Sequence, residues 1–383
     1  MTQLLSLLAE REFGYLGDTI FLNSCSVSLP PMRVRQFCTT FMEDYAKSTG
    51  ATLSQFDLYR ADAKKQIAAL INAPVDEIAF TKNTTEGNSI LAGGLELSSG
   101  DNVILADIEH PALLYPWLQQ QKRGVQVRIV TAQDGVLPVQ AYLRQMDANT
   151  KVVALSAVQY GSGYLADLRE LCRQCHARGI LVAVDAIQAL GRIPINVKGL
   201  GIDYLSCGSF KGLMGALGSG FLYRRRDLIP RIRPPYTCYH SVPAHQEFPA
   251  VPADFLPPVQ YEDTRRFDAG SSNTYGAVSM GLGASLINEI GVDTIYAHIC
   301  HLERQLRQQL TNPKLHLLGG SAPNHLSGTL AWTFDPAETD RLQAMLQAER
   351  IKLTLRDGYM RLQLHFYNTA EQMDKVAAVL HSF

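Results

Sequence analysis

The fold is decided by Leu181-Val182-Ala183-Val184-Asp185 and by the residues after it, through Gln188 and Ser206-Cys207-Gly208-Ser209-Phe210 to Lys211 and a glycine-rich tail, Gly212 to Gly220. A short β-branched run bounded by polar residues reads as a strand buried on both faces of a parallel sheet. The first charged residue after it, Asp185, then stands at the strand's carboxyl end, where α/β sheets bind ligands. A second apolar stretch, Ile202 to Leu205, is compatible with a neighbouring strand that delivers Lys211.

An amine, a carboxylate and an amide at one sheet edge match the needs of pyridoxal 5'-phosphate. That cofactor needs an amine to hold its aldehyde as a Schiff base and a carboxylate to keep its ring nitrogen protonated. A hydrogen-bonding neighbour for the ring oxygen completes the set, and Lys211, Asp185 and Gln188 supply the three. Val184-Asp185-Ala186-Ile187-Gln188, Asp203-Tyr204, and the lysine with its tail ending Gly220-Phe221-Leu222-Tyr223 resemble the class V aminotransferase superfamily. That group includes cysteine desulfurases, cystine lyases, kynureninases and isopenicillin N epimerase-like enzymes. The resemblance covers nearly the whole chain. It implies the aspartate aminotransferase-like α/β fold: a large domain with a mostly parallel seven-stranded sheet, plus a smaller α+β domain. The expected bounds are an N-terminal arm over 1–18, a large cofactor domain over 19–275 and a small domain over 276–383.

Composition agrees with an ordinary enzyme. With 383 residues, 46% hydrophobic, the chain holds enough apolar material for a large core. A formal net charge of -1 offers no bulk field for nucleic acid or an anionic membrane. Glu10 and the lack of a basic leader argue against a signal peptide in the leucine-rich N-terminus, and no apolar run is long enough to span a bilayer. Seven irregularly spaced cysteines suggest reduced thiols and a cytoplasmic setting.

Along the chain, apolar spacing predicts helices over Met32–Lys47 and 58–72, then a strand Ile78–Thr81 leading into Asn83-Thr84-Thr85-Glu86. An abrupt strand-to-helix turn leaves free backbone N–H groups that, with two hydroxyls, make a cup for a dianionic phosphate. The same string also reads as a capping box from Asn83 to Glu86. The resemblance favours Thr84 and Thr85 as phosphate ligands. The next strand, 103–106, runs into Glu109-His110-Pro111-Ala112, similar to the desulfurase segment whose histidine stacks on the cofactor ring, a role this implies for His110. A strand over 125–130, a helix over 138–146 and a strand over 152–155 come next. Tyr160, after that last strand, is read either as a donor to the ring oxygen or as a packing neighbour.

Ser26, on the small-residue loop after Phe21, is a candidate substrate contact, with a plain turn as the competing reading. Cys172-x-x-Cys175-His176 matches a haem-attachment spacing. Yet Leu168, Leu171, Cys172 and Cys175 fall at helical spacing, so both thiols are read as core hydrophobes. Seven of the 18 prolines lie between residues 232 and 261, which predicts a long irregular loop carrying Cys238, Tyr239, His240 and His245.

Arg266-Phe267-Asp268-Ala269-Gly270-Ser271-Ser272-Asn273-Thr274 resembles the segment that reaches the partner subunit's cofactor phosphate, implying a homodimer with shared sites and roles for Asn273 and Thr274. Met360-Arg361 with Tyr367-Asn368-Thr369 matches the family's carboxylate-binding arginine, a fitting job for a planar, permanently charged fork.

Two departures stand out. Leu355-Arg356-Asp357-Gly358-Tyr359 is a tight turn without the nucleophilic cysteine of desulfurases, which disfavours persulfide transfer by their usual route. Phe210 replaces the donor that commonly precedes the lysine, leaving phosphate contact to Ser206, Ser209, Thr84-Thr85 or a partner subunit. The expected activity is therefore transamination or β-elimination of an α-amino acid through a Lys211 Schiff base. Epimerisation and desulfurase-like action are alternatives, and a non-catalytic cofactor-binding protein is the reading from another class.

Overall fold

The computed structural model describes residues 3–47, 53–243, 259–270, 273–320 and 325–383; His245, Ser271 and Ser272 lie outside them. The strands of the large sheet, preceded by β1 (Ile20–Phe21), are β2 (Ile78–Thr81), β3 (Asn102–Ala106), β4 (Gln126–Val130), β5 (Thr150–Ser156), β6 (Leu181–Asp185), β7 (Tyr204–Gly208) and β8 (Gly220–Arg224). The C-terminal part adds β9 (His316–Leu317), β10 (Thr329–Thr333), β11 (Ile351–Lys352), β12 (Thr354–Arg356) and β13 (Tyr359–Gln363).

Seven strands form one sheet in the order β2-β8-β7-β6-β5-β3-β4. Four pairings are parallel, and β8 runs antiparallel to both neighbours. Period-two alternation explains the apolar runs. Ile104, Val153, Val182, Val184 and Leu205 join one core, while Val103, Leu105, Val152, Ala183 and Tyr204 join a second on the opposite face. Because β8 opposes both β2 and β7, β2 shares the direction of the parallel set. The carboxyl ends of β2, β3, β5, β6 and β7 therefore meet at one edge, bringing Thr84, His110, Tyr160, Asp185 and Lys211 together.

A four-stranded antiparallel sheet, β12-β13-β10-β9, packs beyond that edge, and β1 pairs in parallel with β11. The N-terminal helix Gln3–Phe13 joins the same unit: Phe13 lies 4.5 Å, ring to ring, from Tyr367 and 5.7 Å from Phe366.

Helix Met32–Lys47 and strand Ile78–Thr81 fall where the pattern puts them. The second helix begins earlier, at Leu53, and the β7 ladder starts at Tyr204 rather than Ile202. The shift arises at Gly201, left-handed at φ +76°, which ends the preceding short helix while Ile202 still bonds back to Val197. Gly291, at φ +88°, splits the C-terminal helical region into Thr274–Ile290 and Val292–Gln309.

Candidate active site

A cavity of about 860 Å³ lies at the sheet edge, lined by Thr84, Thr85, His110, Tyr160, Asp185, Gln188 and Lys211 from the large sheet's loops. Ser26 and Cys25 line it from the N-terminal loop, and Arg356, Asp357, Tyr359 and Arg361 from the β12–β13 hairpin. The walls are held by backbone. Ser28 N–H donates to the carbonyl of Phe210, beside the lysine, at 2.8 Å. Gly212 is obligatory because a Cβ there would meet the Leu190 carbonyl at 2.1 Å. The loops that carry Gln188 and Lys211 therefore pack backbone to backbone.

Burial controls the charges. Asp185 is 2% exposed, and burial pushes its carboxyl up to about 6, opposed by the Ile187 N–H at 3.0 Å, the Lys211 charge and Asn88. Burial lowers the Lys211 amine, with Asp185 pulling it up and Arg361 adding to the depression. His110 is the N-cap of helix Pro111–Leu118, and its Nδ1 accepts the Ala112 N–H at 3.1 Å. In the neutral ring the proton therefore sits on Nε2. Burial, Lys211 and Arg361 all lower its pKa, favouring that neutral donor.

Arg361 is 6% exposed and, among the described residues, makes no ion pair. One terminal nitrogen donates to the Tyr160 carbonyl, the other reaches Ser26 Oγ at 3.4 Å, and Nε has no partner. Thr84 Oγ1 is likewise buried and unpartnered, at the start of helix Thr84–Gly94, where Asn83 caps the Glu86 N–H. Both readings of that string hold at once, since cap and cup use different groups. An unpaired cation, a buried lone hydroxyl at a helix start, an amine and a carboxyl are the donor set that pyridoxal phosphate and an amino acid require.

Other sequence expectations move. Ser206 faces helix Thr84–Gly94, where it fills the space beside Gly87, and its hydroxyl is spent on Asn88 Oδ1. Ser209 donates to the Ala216 carbonyl and accepts from Ser219 Oγ at 2.8 Å, closing the loop after the lysine. Neither hydroxyl lines the cavity, so neither is carried forward as a phosphate ligand. Gln188 Nε2 donates to the Cys25 carbonyl at 3.1 Å, and its oxygen accepts from Gln363 at 2.9 Å. Asn273 caps the helix opening at Thr274 and donates to Gly218, next to the cavity but not in it. Tyr160 meets His110 edge-on, ring centroids 5.0 Å apart. Cys172 and Cys175 are buried on one face of helix Leu168–His176 as core side chains, and His176 bonds to Asp203.

Residues that sequence reasoning left out include Glu109, Asn88 and Gln363. Glu109 stands inside the Glu109-His110-Pro111-Ala112 string, Asn88 lies one helical turn after Thr84, and Gln363 is signalled by alternation, two places after Arg361 on one strand face.

Residues 20–376 match the profile of the family described as Aminotransferase class-V. The chain belongs to that family. It is a pyridoxal phosphate-dependent enzyme of amino-acid chemistry with the fold that the resemblance implied. A probable cysteine desulfurase of Methanothermobacter thermautotrophicus is 28% identical over 97% of this chain and 96% of its own. An uncharacterized aminotransferase, YcbU, of Bacillus subtilis is 28% identical over 82% of each chain. Among solved structures, the apo cysteine desulfurase of Thermococcus onnurineus NA1 superposes with a TM-score of 0.87 at 23% identity, covering 98% of this chain and 96% of that one. The cystine C-S lyase C-DES, in complex with its product cysteine persulfide, gives 0.86 at 22% identity, covering 97% and 100%.

Proposed function

We propose that this enzyme eliminates the β-substituent of an α-amino acid, cleaving a C–S bond in a cysteine-type substrate. The observation that carries the reading is the Arg356-Asp357-Gly358 turn at the cavity mouth. Gly358 turns it tightly at φ +64°, and it presents charge but no thiol to take sulfur. Of the seven cysteines only Cys25 lines the cavity, 1% exposed and held near Asn23 and Thr354.

Pyridoxal phosphate, when bound, supplies an aldehyde for the substrate amine and a ring that withdraws electrons from the α-carbon. Lys211 anchors that aldehyde between turnovers and, with its amine depressed by burial, takes the α-proton. Asp185 holds a proton on the ring nitrogen, and Thr84, Thr85 and the first-turn N–H groups receive the phosphate. Arg361 grips the α-carboxylate with Nε and its Ser26-facing nitrogen, and Ser26 lies alongside. His110 offers Nε2–H to the departing group, and its ring would lie against the cofactor as the resemblance implies. Tyr160 sets the position of both Arg361 and His110, and Gln188, which keeps one amide N–H beyond its bond to Cys25, would offer it to the ring oxygen.

Transamination is the second reading, because the Lys211, Asp185 and Arg361 set serves it equally. The resemblance of the Arg266–Thr274 segment supports a homodimer in which Asn273 and Thr274 approach the partner's site; within this chain Asn273 caps the helix and donates to Gly218 at the cavity edge. All seven cysteines are free, which supports a cytoplasmic setting. No helix among the described residues is long and apolar enough to cross a membrane.

The test is product analysis with cysteine, cystine and alanine as substrates and Lys211→Ala as control. Pyruvate with ammonia from the sulfur amino acids, and neither from alanine, is expected. Conversion of the cofactor to its amine form, with keto-acid release only once per site until a keto-acid acceptor is added, would replace elimination with transamination. Alanine as the product, with sulfur retained on the protein, would sink both.

A further inference from the structure

Glu109 is fully enclosed in the core, one residue before His110, and the proposed elimination makes no use of it. Its carboxyl takes the Ser156 N–H at 3.0 and 3.2 Å, the Ser156 hydroxyl at 2.5 Å and Gln159 Nε2 at 2.7 Å. These contacts bind the end of β3 to the end of β5. Ser156 pairs with Asp185 in the sheet register, and the Ala157 N–H donates to the Asp185 carbonyl at 2.9 Å. One residue past Gln159, the Tyr160 carbonyl holds Arg361 and the Tyr160 ring abuts His110. Next in line, the Gly161 carbonyl accepts Tyr359 Oη at 2.8 Å. A single buried carboxyl thus fixes the loop on which the cofactor-facing histidine and the carboxylate-gripping arginine both depend.

We propose that Glu109 is a positioning residue that couples the cofactor side of the cavity to its substrate-carboxylate side through the Ser156–Gly161 loop. The proposal rests on Arg361 holding the substrate carboxylate, but not on which reaction ensues. Its surroundings fit this role. Asp185 on β6 faces it as a like charge, Tyr142 approaches from helix Val139–Leu143, and burial lifts its carboxyl to about 7. At that value the carboxyl is about half protonated near pH 7, and an amide matches the shape and the single carbonyl acceptor of its neutral form. Gln159 Oε1 is buried without a partner, so Gln159 can rotate its amide to accept from a glutamine at 109. Alanine at 109 instead orphans the Ser156 N–H and frees Gln159.

The experiment titrates purified Glu109→Ala and Glu109→Gln with pyridoxal phosphate. The cofactor-loaded proteins are then titrated with 2-aminoisobutyrate, which carries a carboxylate and amine but no α-hydrogen. The alanine variant is expected to bind 2-aminoisobutyrate about tenfold more weakly, as orphaning one buried donor implies, and to show a shifted visible absorption. Glu109→Gln should recover both within about threefold. Unchanged 2-aminoisobutyrate affinity and absorption in a folded alanine variant, with only the melting temperature lowered, would reduce Glu109 to a structural anchor and overturn the proposal. If Glu109→Ala does not fold, the exchange Glu109→Gln with Gln159→Glu decides. It preserves the pairing and should keep wild-type affinity, and a tenfold loss there refutes the coupling. Because neither readout requires turnover, failure here is separate from failure of the elimination reading.

Discussion

Replacing Arg361 with methionine separates what the fold needs from what the substrate needs. In the free enzyme Nε of Arg361 has no partner, and one terminal nitrogen makes only a long contact with Ser26. Both therefore keep unused hydrogen-bonding capacity in a side chain that lines the cavity, and each charge-assisted bond to a carboxylate drawn against it is worth about 1.5 to 3 kcal/mol. The guanidinium is already out of water, so little further desolvation offsets them, and about 3 to 5 kcal/mol should disappear. KM for the amino acid is expected to rise by about two to three orders of magnitude. Because the grip acts on substrate and transition state alike, kcat should change much less. Stability should change little: methionine of similar length removes the cost of a buried cation without a counterion but strands the Tyr160 carbonyl that accepts from Arg361. The cofactor-free variant should melt within a few degrees of the parent. Steady-state kinetics and thermal denaturation on the same preparation check both. A KM within threefold of the parent, or a fall in melting temperature with KM unchanged, would mean that Arg361 is a structural residue tied to Tyr160.

Thr84→Val should weaken pyridoxal phosphate binding about fivefold to tenfold without lowering the melting temperature of the cofactor-free protein, since its hydroxyl has no protein partner; fluorescence titration reads the affinity. Asp185 titrates near 6 in the folded chain against about 3.9 when unfolded. The folded state therefore carries the extra proton between those values, and stability falls as pH rises through that window. Cofactor-free Asp185→Asn should accordingly gain on the parent by about 2 to 3 kcal/mol above pH 7 and lose that gain near pH 4, while kcat falls about a hundredfold; denaturant melts across pH test the sign. Burial raises both thiols of the Cys172–Cys175 pair, Cys175 to about 12. Alanine at either position should cost about 1 kcal/mol of stability and leave cofactor affinity unchanged, and slow reaction with a thiol reagent should confirm that neither is reactive.

The site's membership was largely legible because strand ends are legible. β3, β5, β6 and β7 announce themselves as apolar runs, and parallel topology then forces His110, Tyr160, Asp185 and Lys211 to one edge. Side-chain direction was not legible. Ser206 and Ser209 lie as near to Lys211 in sequence as any candidate, yet pleat alternation turns Ser206 onto a packed helix and the loop after the lysine consumes Ser209. Glu109 was hidden for a related reason. Its partners, Ser156 and Gln159, lie 47 and 50 residues on, and only the strand order β6-β5-β3 makes them neighbours.

The geometry also explains why the small sheet cannot drift from the large one. Gln363 stands on the same face of β13 as Arg361 and donates to both Gln188 and Thr329, while its backbone N–H takes the Leu22 carbonyl. Arg192, with no exposed surface, donates to carbonyls on both sides of the boundary, Gln188 on one and Ser327 on the other. His365 bonds to the Gly212 carbonyl, directly after Lys211, and its ring is buried and shifted down to about 3, so it stays neutral at any working pH. Three buried ties therefore converge on the segments that carry Gln188 and Lys211. Breaking a buried charged or polar tie strands its partner and costs more than an exposed one, so the Arg361 guanidinium and the Lys211 amine are held in register across the cavity by Gln363, Arg192 and His365, which do not line it.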